Sequence, residues 1–228
     1  MALSAPRTDM AVRYACAVSA DCGVSRLPVD PFALAAEAGI TLAPLSVISQ
    51  HPNWAVYNLP SLLRMTSAIT LSYPTFCIVY RDEGTDPALL RYALCRELGH
   101  LFLNHFRDFP EKMGSRRRSD PVLDAEADAF ARNLLSPVPL VDIIRYNRPR
   151  QARAVLFGMP RAAWIRRLDA LAADRACMDD GMANTLILLY HDFLLGRRCS
   201  ACGQLFTDSA QQNACPFCGA PDPEWTLS

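Results

Sequence analysis

The stretch Cys95-Arg96-Glu97-Leu98-Gly99-His100 decides how the fold is interpreted, and it lies within a segment of helical periodicity. Asp86 is a suitable N-cap, and Pro87 suits the first helical position because the first turn does not use the N–H that proline lacks. We therefore predict a helix from Pro87 to about Phe106. Its apolar residues recur at helical spacing, at Leu90, Ala93, Leu94, Leu98, Leu101 and Phe102.

Within this helix, Arg96, Glu97 and His100 occupy the positions of the metallopeptidase pattern His-Glu-x-x-His. In that pattern two imidazoles at i and i+4 share one helix face and bind one zinc ion, while the intervening Glu reaches the zinc-bound water. Glu97 and the second His are present, but the first ligand position holds an arginine. A Glu-x-x-His sequence by itself is most often a solvated helix face, so a second signature is needed.

A second signature lies on the next predicted helix, which Asp120 and Pro121 begin and Pro137 ends. It reads Glu126-Ala-Asp-Ala-Phe130-Ala-Arg-Asn-Leu134-Leu-Ser-Pro137. The two stretches together resemble the ImmA/IrrE-type zinc metallopeptidases, which carry His-Glu-Leu-Gly-His and then Glu-Ala-Asn-x-Phe-Ala-x-x-Leu-Leu-x-Pro. Asp128 stands at the usual Asn. The resemblance covers roughly residues 28–170.

The resemblance implies an α+β fold, a zincin-like metallopeptidase domain with a small antiparallel sheet and two active-site helices. It implies a catalytic zinc held by His100 and Glu126, with Glu97 as the general base that takes a proton from zinc-bound water. Position 96 is then a degenerate ligand position. The substrates of such enzymes are helix-turn-helix repressors or antitoxins encoded nearby, often on phages or mobile elements. The resemblance therefore implies such a partner and a role in transcription regulation.

Arg96 weakens the expectation of a working zinc centre. A guanidinium is always protonated and has no lone pair for a metal. About 4 Å from Zn²⁺, at an effective dielectric constant of about 20, it would add roughly 8 kcal/mol of repulsion. We therefore expect impaired peptidase activity, a poorly held second zinc, and Arg96 paired with Glu97, Glu126 or both. Three nearby residues are predicted to point elsewhere and not to replace the missing ligand: Cys95, His105 and Asp124.

The C-terminal segment carries two Cys-x-x-Cys-Gly sequences, Cys199-Ser-Ala-Cys202-Gly203 and Cys215-Pro-Phe-Cys218-Gly219. Each pair places two thiolates on one tight turn, and the glycine permits a left-handed backbone that lets amides donate to sulfur. Two such turns facing each other form a tetrahedral four-thiolate site, which is the arrangement of a structural zinc ribbon. Iron accepts the same geometry, but zinc is the default assignment.

These features divide the chain into four predicted segments. They are an N-terminal segment over 1–27, the metallopeptidase-like domain over 28–140, a helical extension over 141–196 and the zinc ribbon over 197–228. Four short stretches of strand character are predicted to form the antiparallel sheet of the second segment, near Ile40–Leu45, Asn53–Asn58, Ser67–Leu71 and Phe76–Tyr80.

The composition excludes several broad classes of protein. Lys and Arg number 23 and Asp and Glu number 23, so a formal net charge of zero gives no overall attraction to nucleic acid or to an anionic membrane. No apolar run approaches the ~20 residues that span a bilayer. Of nine cysteines, four lie in the paired motifs, which is typical of a reducing compartment. We predict a cytoplasmic protein without a membrane partner.

Three functions remain open from the sequence. The first is the family role, zinc-dependent cleavage of a helix-turn-helix repressor or antitoxin, impaired by Arg96. The second is a non-catalytic pseudo-peptidase that binds or senses such a partner. The third is a nucleic-acid-associated zinc-ribbon protein that uses Arg197 and Arg198. Direct nucleic-acid contact is not favoured because three nearby acidic residues offset these arginines: Asp208, Asp222 and Glu224.

Overall fold

The computed structural model describes residues 5–50, 59–64, 66–72, 75–113, 120–147, 154–194, 196–199, 201–203, 205–207, 214–215, 217–221 and 224–225. The helices are α1 Thr8–Asp21, α2 Pro31–Glu37, α3 Leu45–Ile48, α4 Leu59–Leu62, α5 Pro87–Phe102, α6 His105–Asp108, α7 Pro110–Met113, α8 Pro121–Leu135, α9 Val138–Asn147, α10 Arg161–Ala176, α11 Asp180–Leu189 and α12 His191–Leu194. The strands are β1 Thr41–Pro44, β2 Ala68–Leu71, β3 Cys77–Tyr80, β4 Gly196–Arg198, β5 Leu205–Thr207 and β6 Glu224–Trp225.

The first sheet contains β1, β3 and β2 in that order, and it is mixed. Strand β3 pairs antiparallel with β2 and parallel with β1, so the expected purely antiparallel sheet is wrong. The connections explain the difference: a short loop joins β2 to β3, whereas the chain passes through α3, α4 and β2 between β1 and β3. Three of the four predicted strands are confirmed, and the predicted strand at Asn53–Asn58 lies outside the described residues.

Helices α5 and α8 pack against each other and carry both sequence signatures. Each helix begins with the predicted N-cap. The side chain of Asp86 accepts hydrogen bonds from two backbone amides of α5, and the side chain of Asp120 accepts from two of α8. Gly99 lies where the two helices meet. A Cβ at Gly99 would lie 3.0 Å from Phe130 Cδ1 and 3.2 Å from the Ala127 carbonyl oxygen. The missing side chain therefore permits the close approach of the two helices.

One hydrophobic core joins most of the helices. It includes Ala11 of α1, Leu98 of α5, Phe130 of α8, Trp164 of α10 and Leu186 of α11. Helix α1 lies directly against α8, so the N-terminal segment packs on the helix that carries the second signature. The predicted boundaries at 27/28 and 140/141 stay predictions, and residues on both sides of each boundary contribute to this core.

A buried ion-pair network fixes the end of α8 against α10. Both carboxylate oxygens of Asp174 accept hydrogen bonds from Arg132 at 2.7 Å, and Oδ2 also accepts from Arg167 Nη1 at 2.7 Å. Arg167 donates further hydrogen bonds to the Ser136 carbonyl oxygen. Burial would raise the pKa of Asp174, but the hydrogen bonds and charges of its partners outweigh burial and lower it. The network is structural, and it holds α8 in place.

None of the helices in the described part of the chain has both the length and the apolar character that crossing a bilayer requires. The apolar helix α11 has 10 residues, which is half of the ~20 needed.

Candidate functional site

The two peptidase-like signatures lie on the packed helices α5 and α8, and their predicted site residues are buried. Glu97 is 1% exposed, and His100 and Glu126 are fully buried. Buried carboxylates need hydrogen bonds or an opposite charge, because removal from water strongly disfavours the ionised form. The partners of these side chains therefore determine what the site can do.

Glu126 binds Arg7, a residue that the sequence analysis did not consider. The backbone N–H of Arg7 donates to Glu126 Oε1 at 2.8 Å, and its Nε donates to the same oxygen at 2.9 Å. Its Nη2 donates to Oε2 at 2.8 Å. The Arg7 side chain is 30% exposed, whereas that of Glu126 is fully buried. A bidentate guanidinium with an added backbone donor therefore supplies the charge that this carboxylate requires.

The two groups stabilise each other's ionised forms. Burial by itself would raise the pKa of Glu126, but hydrogen bonds from Arg7 and His105 outweigh burial and hold the pKa below its usual value. The hydrogen bond to Glu126 raises the pKa of Arg7. Glu126 and Arg7 therefore form a stable ion pair at neutral pH.

His105 also belongs to the site, where it contacts both predicted ligand residues and does not lie at the surface. Helix α5 ends at Phe102 rather than near Phe106, and Asn104 adopts a left-handed conformation with φ of 56°. This turn redirects the chain, so that His105 begins α6 and is fully buried. Its Nε2 lies 2.9 Å from Glu126 Oε2, and its Nδ1 lies 2.8 Å from His100 Nδ1.

The hydrogen-bond order assigns the tautomer of His105 and the donor of His100. Because the carboxylate of Glu126 only accepts, His105 donates from Nε2 and accepts at Nδ1, so His100 donates from its own Nδ1. Burial, together with the neighbouring His100 ring, lowers the pKa of His105 to about 4. His105 is therefore neutral at neutral pH, as this order requires.

Arg96 turns away from both predicted partners and towards two aspartates of α8. Its Nη2 donates to Asp124 Oδ1 at 2.8 Å, and its Nε lies 3.0 Å from Asp128 Oδ1 without the alignment of a hydrogen bond. Among the described residues its ion pairs are with these aspartates, so the expected pairing with Glu97 or Glu126 is wrong. Asp124 was also expected to face elsewhere, yet its Oδ1 lies 3.4 Å from His100 Nε2.

Glu97 lies against strand β2. Its Oε2 accepts hydrogen bonds from the Thr70 backbone N–H at 2.9 Å and from Thr70 Oγ1 at 2.8 Å. Strand β2 is an edge strand, and the carboxylate satisfies a backbone donor that the sheet leaves unpaired. In this arrangement Glu97 joins α5 to the sheet.

These contacts do not fit a zinc ion held by His100 and Glu126. Both oxygens of Glu126 already accept hydrogen bonds, and the guanidinium of Arg7 lies where the positive charge of an ion would otherwise be needed. Arg96 has no lone pair to offer. The ligand roles of His100 and Glu126 and the base role of Glu97 stay predictions from the resemblance.

The four paired cysteines do lie together, as the sequence predicts. Their sulfur atoms are within 4.8 Å of one another, and in the described residues no other group of three or more His, Cys, Asp or Glu converges in this way. Cys199 Sγ lies 3.6 Å from Cys218 Sγ, and Cys202 Sγ lies 3.7 Å from Cys215 Sγ. A tetrahedron with Zn–S bonds of about 2.3 Å has edges of about 3.8 Å, so this spacing fits zinc.

Both cysteine turns have the same backbone geometry. Gly203 has φ of 71° and donates its N–H to the Cys199 carbonyl oxygen, and Gly219 has φ of 72° and donates to that of Cys215. The Phe217 N–H donates to the sulfur of Cys215 at 3.4 Å. The left-handed glycines were predicted from the sequence, and they place the two turns opposite each other.

The thiols cannot all ionise at this distance without a cation. The backbone hydrogen bond from Cys202 is the main reason that the pKa of Cys199 falls to about 7. The Ala220 amide would lower the pKa of Cys218, but the neighbouring sulfur atoms outweigh it and raise that pKa to about 12. A bound divalent cation would remove this conflict, because thiolates are its ligands. The ribbon therefore could hold a metal ion, and its chemistry suits zinc.

Two residues of the site between α5 and α8 were missed by the sequence analysis, Arg7 and Thr70, and a third, His105, was considered but not placed in the core. For Arg7 the sequence holds no signal, since it lies 119 positions from Glu126. Asn104 was a usable signal for His105, because an asparagine after a helix often adopts the left-handed conformation that ends it.

No protein-family model matches the chain, and no curated protein matches its sequence.

Proposed function

We propose that the chain is an ImmA/IrrE-like protein that retains the paired helices of a zinc peptidase but acts by binding a partner protein. The partner is a helix-turn-helix repressor or antitoxin, and the protein works in the cytoplasm. One zinc ion has a structural role in the C-terminal ribbon. The family and the partner class rest on the two signatures at Glu97–His100 and Glu126–Pro137.

The observation that carries the non-catalytic role is the ion pair between Arg7 and Glu126. A zinc peptidase needs an accessible ligand carboxylate and an open metal position. Here the carboxylate is bound on both oxygens, and the first ligand position is an arginine that pairs with Asp124 and Asp128. Two guanidinium groups thus replace the charge of a metal ion on this side of the molecule.

Zinc counting on the purified chain tests this proposal. We expect one zinc per chain after dialysis against a zinc-containing buffer, and still one for Arg96→His, because Arg7 keeps Glu126 occupied. Arg7→Ala combined with Arg96→His should raise the count to two. The matched control is Arg13→Ala with Arg96→His, since Arg13 is an exposed residue of α1.

A second zinc in the unaltered chain would contradict the proposal if anomalous scattering placed it at His100 and Glu126. A fall in zinc-dependent peptide hydrolysis on changing Glu97→Gln would contradict it equally, because a general base has no role without a catalytic metal.

A further inference from the structure

The environment of Arg7 is that of a bound ligand. Glu126 accepts from its backbone N–H and from two nitrogens of its guanidinium. The ring of Phe109 lies against the guanidinium, with its centroid 5.6 Å from the Arg7 Cζ. His105 holds the Glu126 carboxylate from the other side at 2.9 Å. We call Glu126, Phe109 and His105 the arginine cage.

The cage has the chemistry to select arginine over lysine. The two oxygens of Glu126 accept separately from Nε and from Nη2 of Arg7. A planar guanidinium presents two such parallel donors, whereas the ammonium group of a lysine does not. The flat guanidinium also suits the face of an aromatic ring. The backbone N–H contact adds a requirement that the arginine is part of a peptide.

The cage residues also make contacts that do not involve Arg7. Glu126 and His105 are fully buried, and His105 is in turn held by His100 at 2.8 Å. The Phe109 ring also contacts Lys112, whose Nζ lies 5.8 Å from the ring centroid. The receptor groups are therefore fixed by the helical core and by the α6–α7 segment.

Arg7 follows an exposed segment of the chain. It immediately precedes α1, its side chain makes no capping hydrogen bond to that helix, and it is 30% exposed. Ala5 and Pro6, which come before it, are exposed. A movement of this segment would vacate the cage at the expense of the first hydrogen bond of α1, in which the Ala11 N–H donates to the Arg7 carbonyl oxygen at 3.1 Å. The rest of α1 stays anchored in the core through Ala11 and Ala15.

We propose that the arginine cage is a peptide-recognition site that Arg7 fills within the resting chain, and that an arginine in an exposed segment of the partner protein takes its place. This inference rests on the proposed function, since it supplies the contact by which the partner is bound. The buried carboxylate strongly disfavours a cage without a cation, so arginine exchange is favoured over simple opening.

The test uses Arg7→Ala and the probe N-acetyl-L-arginine methylamide, which offers one backbone N–H before the side chain together with the guanidinium. We expect the variant to bind the probe at least tenfold more tightly than the unaltered chain in calorimetry. Its reduced melting temperature should recover as the probe is added. N-acetyl-L-lysine methylamide should do neither, and Arg13→Ala should behave as the unaltered chain.

Equal binding of the arginine probe by Arg7→Ala and the unaltered chain would overturn the inference, as would equal binding of the arginine and lysine probes. If Arg7→Ala does not fold, Arg7→Lys provides the same comparison, because it keeps the charge but loses the two-pronged contact. Adding Phe109→Leu to either variant should weaken arginine binding severalfold. The zinc count is independent of these results, so a failure here leaves the proposed function to be judged by its own test.

Discussion

The C-terminal ribbon and the interior between α5 and α8 both contain residue types that bind metals. The two regions differ in the source of the positive charge that neutralises these residues. In the ribbon four sulfur atoms lie within 4.8 Å of one another, with two of the pairs at 3.6 and 3.7 Å, and a bound ion would supply the positive charge. Between the helices, Arg7 and Arg96 supply that charge from the chain itself. Residue type alone therefore does not predict a metal site, because the nearest permanent cation decides whether an ion is needed.

The largest effect is expected when one of the four cysteines of the ribbon is replaced, which tests whether the ribbon holds the zinc ion. Cys199→Ser should reduce the zinc content from one ion per chain towards none, because a structural site of four thiolates contributes on the order of 10 kcal/mol of binding energy. Elemental analysis of the purified variant measures the loss. Cys22→Ser should retain the zinc, since Cys22 lies outside the cluster. Retention of zinc by Cys199→Ser would show that the ribbon is not the site that holds it.

The Asp174 network provides a reference for the stability that a structural contact between guanidinium groups and a carboxylate contributes. Asp174→Asn should lower the free energy of unfolding by about 3–5 kcal/mol, because it leaves a fully buried arginine, Arg167, without its counter-charge. Urea unfolding measures the change. Asp142→Asn, which affects a partly exposed pair with Arg175, should cost much less.

The same aspartate predicts a pH dependence. Its pKa is lower in the folded state than in the unfolded chain, so its contribution is fully present above the unfolded value of about 3.9. That contribution should be lost as the pH falls through the lower folded value. Asp174→Asn should therefore show a smaller loss of stability than the unaltered chain between about pH 5 and pH 2. An identical acid profile for both proteins would contradict this assignment.

Replacement of Glu126 allows the stability contributed by the Arg7–Glu126 ion pair to be compared with that of the Asp174 network. Glu126→Gln should cost about 2 kcal/mol, which is the scale for hydrogen bonds to a charged group. The loss should be smaller than for Asp174→Asn because the freed Arg7 can reach water. Thermal and urea unfolding measure it, with the exposed Glu37→Gln as control. A stabilised Glu126→Gln would instead indicate a carboxylate strained for function, and would argue against a settled ion pair.

The smallest effect is expected at the rim of the site. Asp128→Asn should change the free energy of unfolding by no more than about 0.5 kcal/mol, because Arg96 and Asp128 are 26% and 39% exposed and their contact is poorly aligned. Arg96 also keeps its hydrogen bond to Asp124. A loss above 2 kcal/mol in urea unfolding would mean that Asp128 takes a larger part in holding Arg96 than its exposure implies.

Local features of this fold were predictable because local chemistry determines them. The starts of α5 and α8 follow from Asp86 and Asp120 before proline, and the ribbon turns follow from cysteine pairs that each precede a glycine. The direction of β1 was not predictable, since a strand's partner depends on the path of the connection and not on its own residues.

The content of the helical site illustrates the same limit. The resemblance grouped Glu97, His100 and Glu126, and the structure links His100 to Glu126 through His105. The predicted position of His105 assumed that α5 extends beyond its true end. Asn104 instead adopts a left-handed conformation just after α5 ends, and this turn directs His105 into the core. Arg7 depends on how α1 packs against α8, which is a property of the assembled core. The departure at Arg96 was visible in the sequence, whereas the arginine that binds Glu126 was not.

The absence of a side chain at Gly99 sets how closely α5 and α8 can approach. A methyl group there would lie 3.0 Å from the Phe130 ring and 3.2 Å from the Ala127 carbonyl oxygen, so the ring or the spacing of α5 and α8 would have to shift by a few tenths of an ångström. Both Arg96 and His100 lie on α5, and both Asp124 and Glu126 lie on α8. A change at a residue that carries no charge and makes no polar side-chain contact would thus act on the two contacts that Asp124 makes across the helices, with Arg96 and with His100.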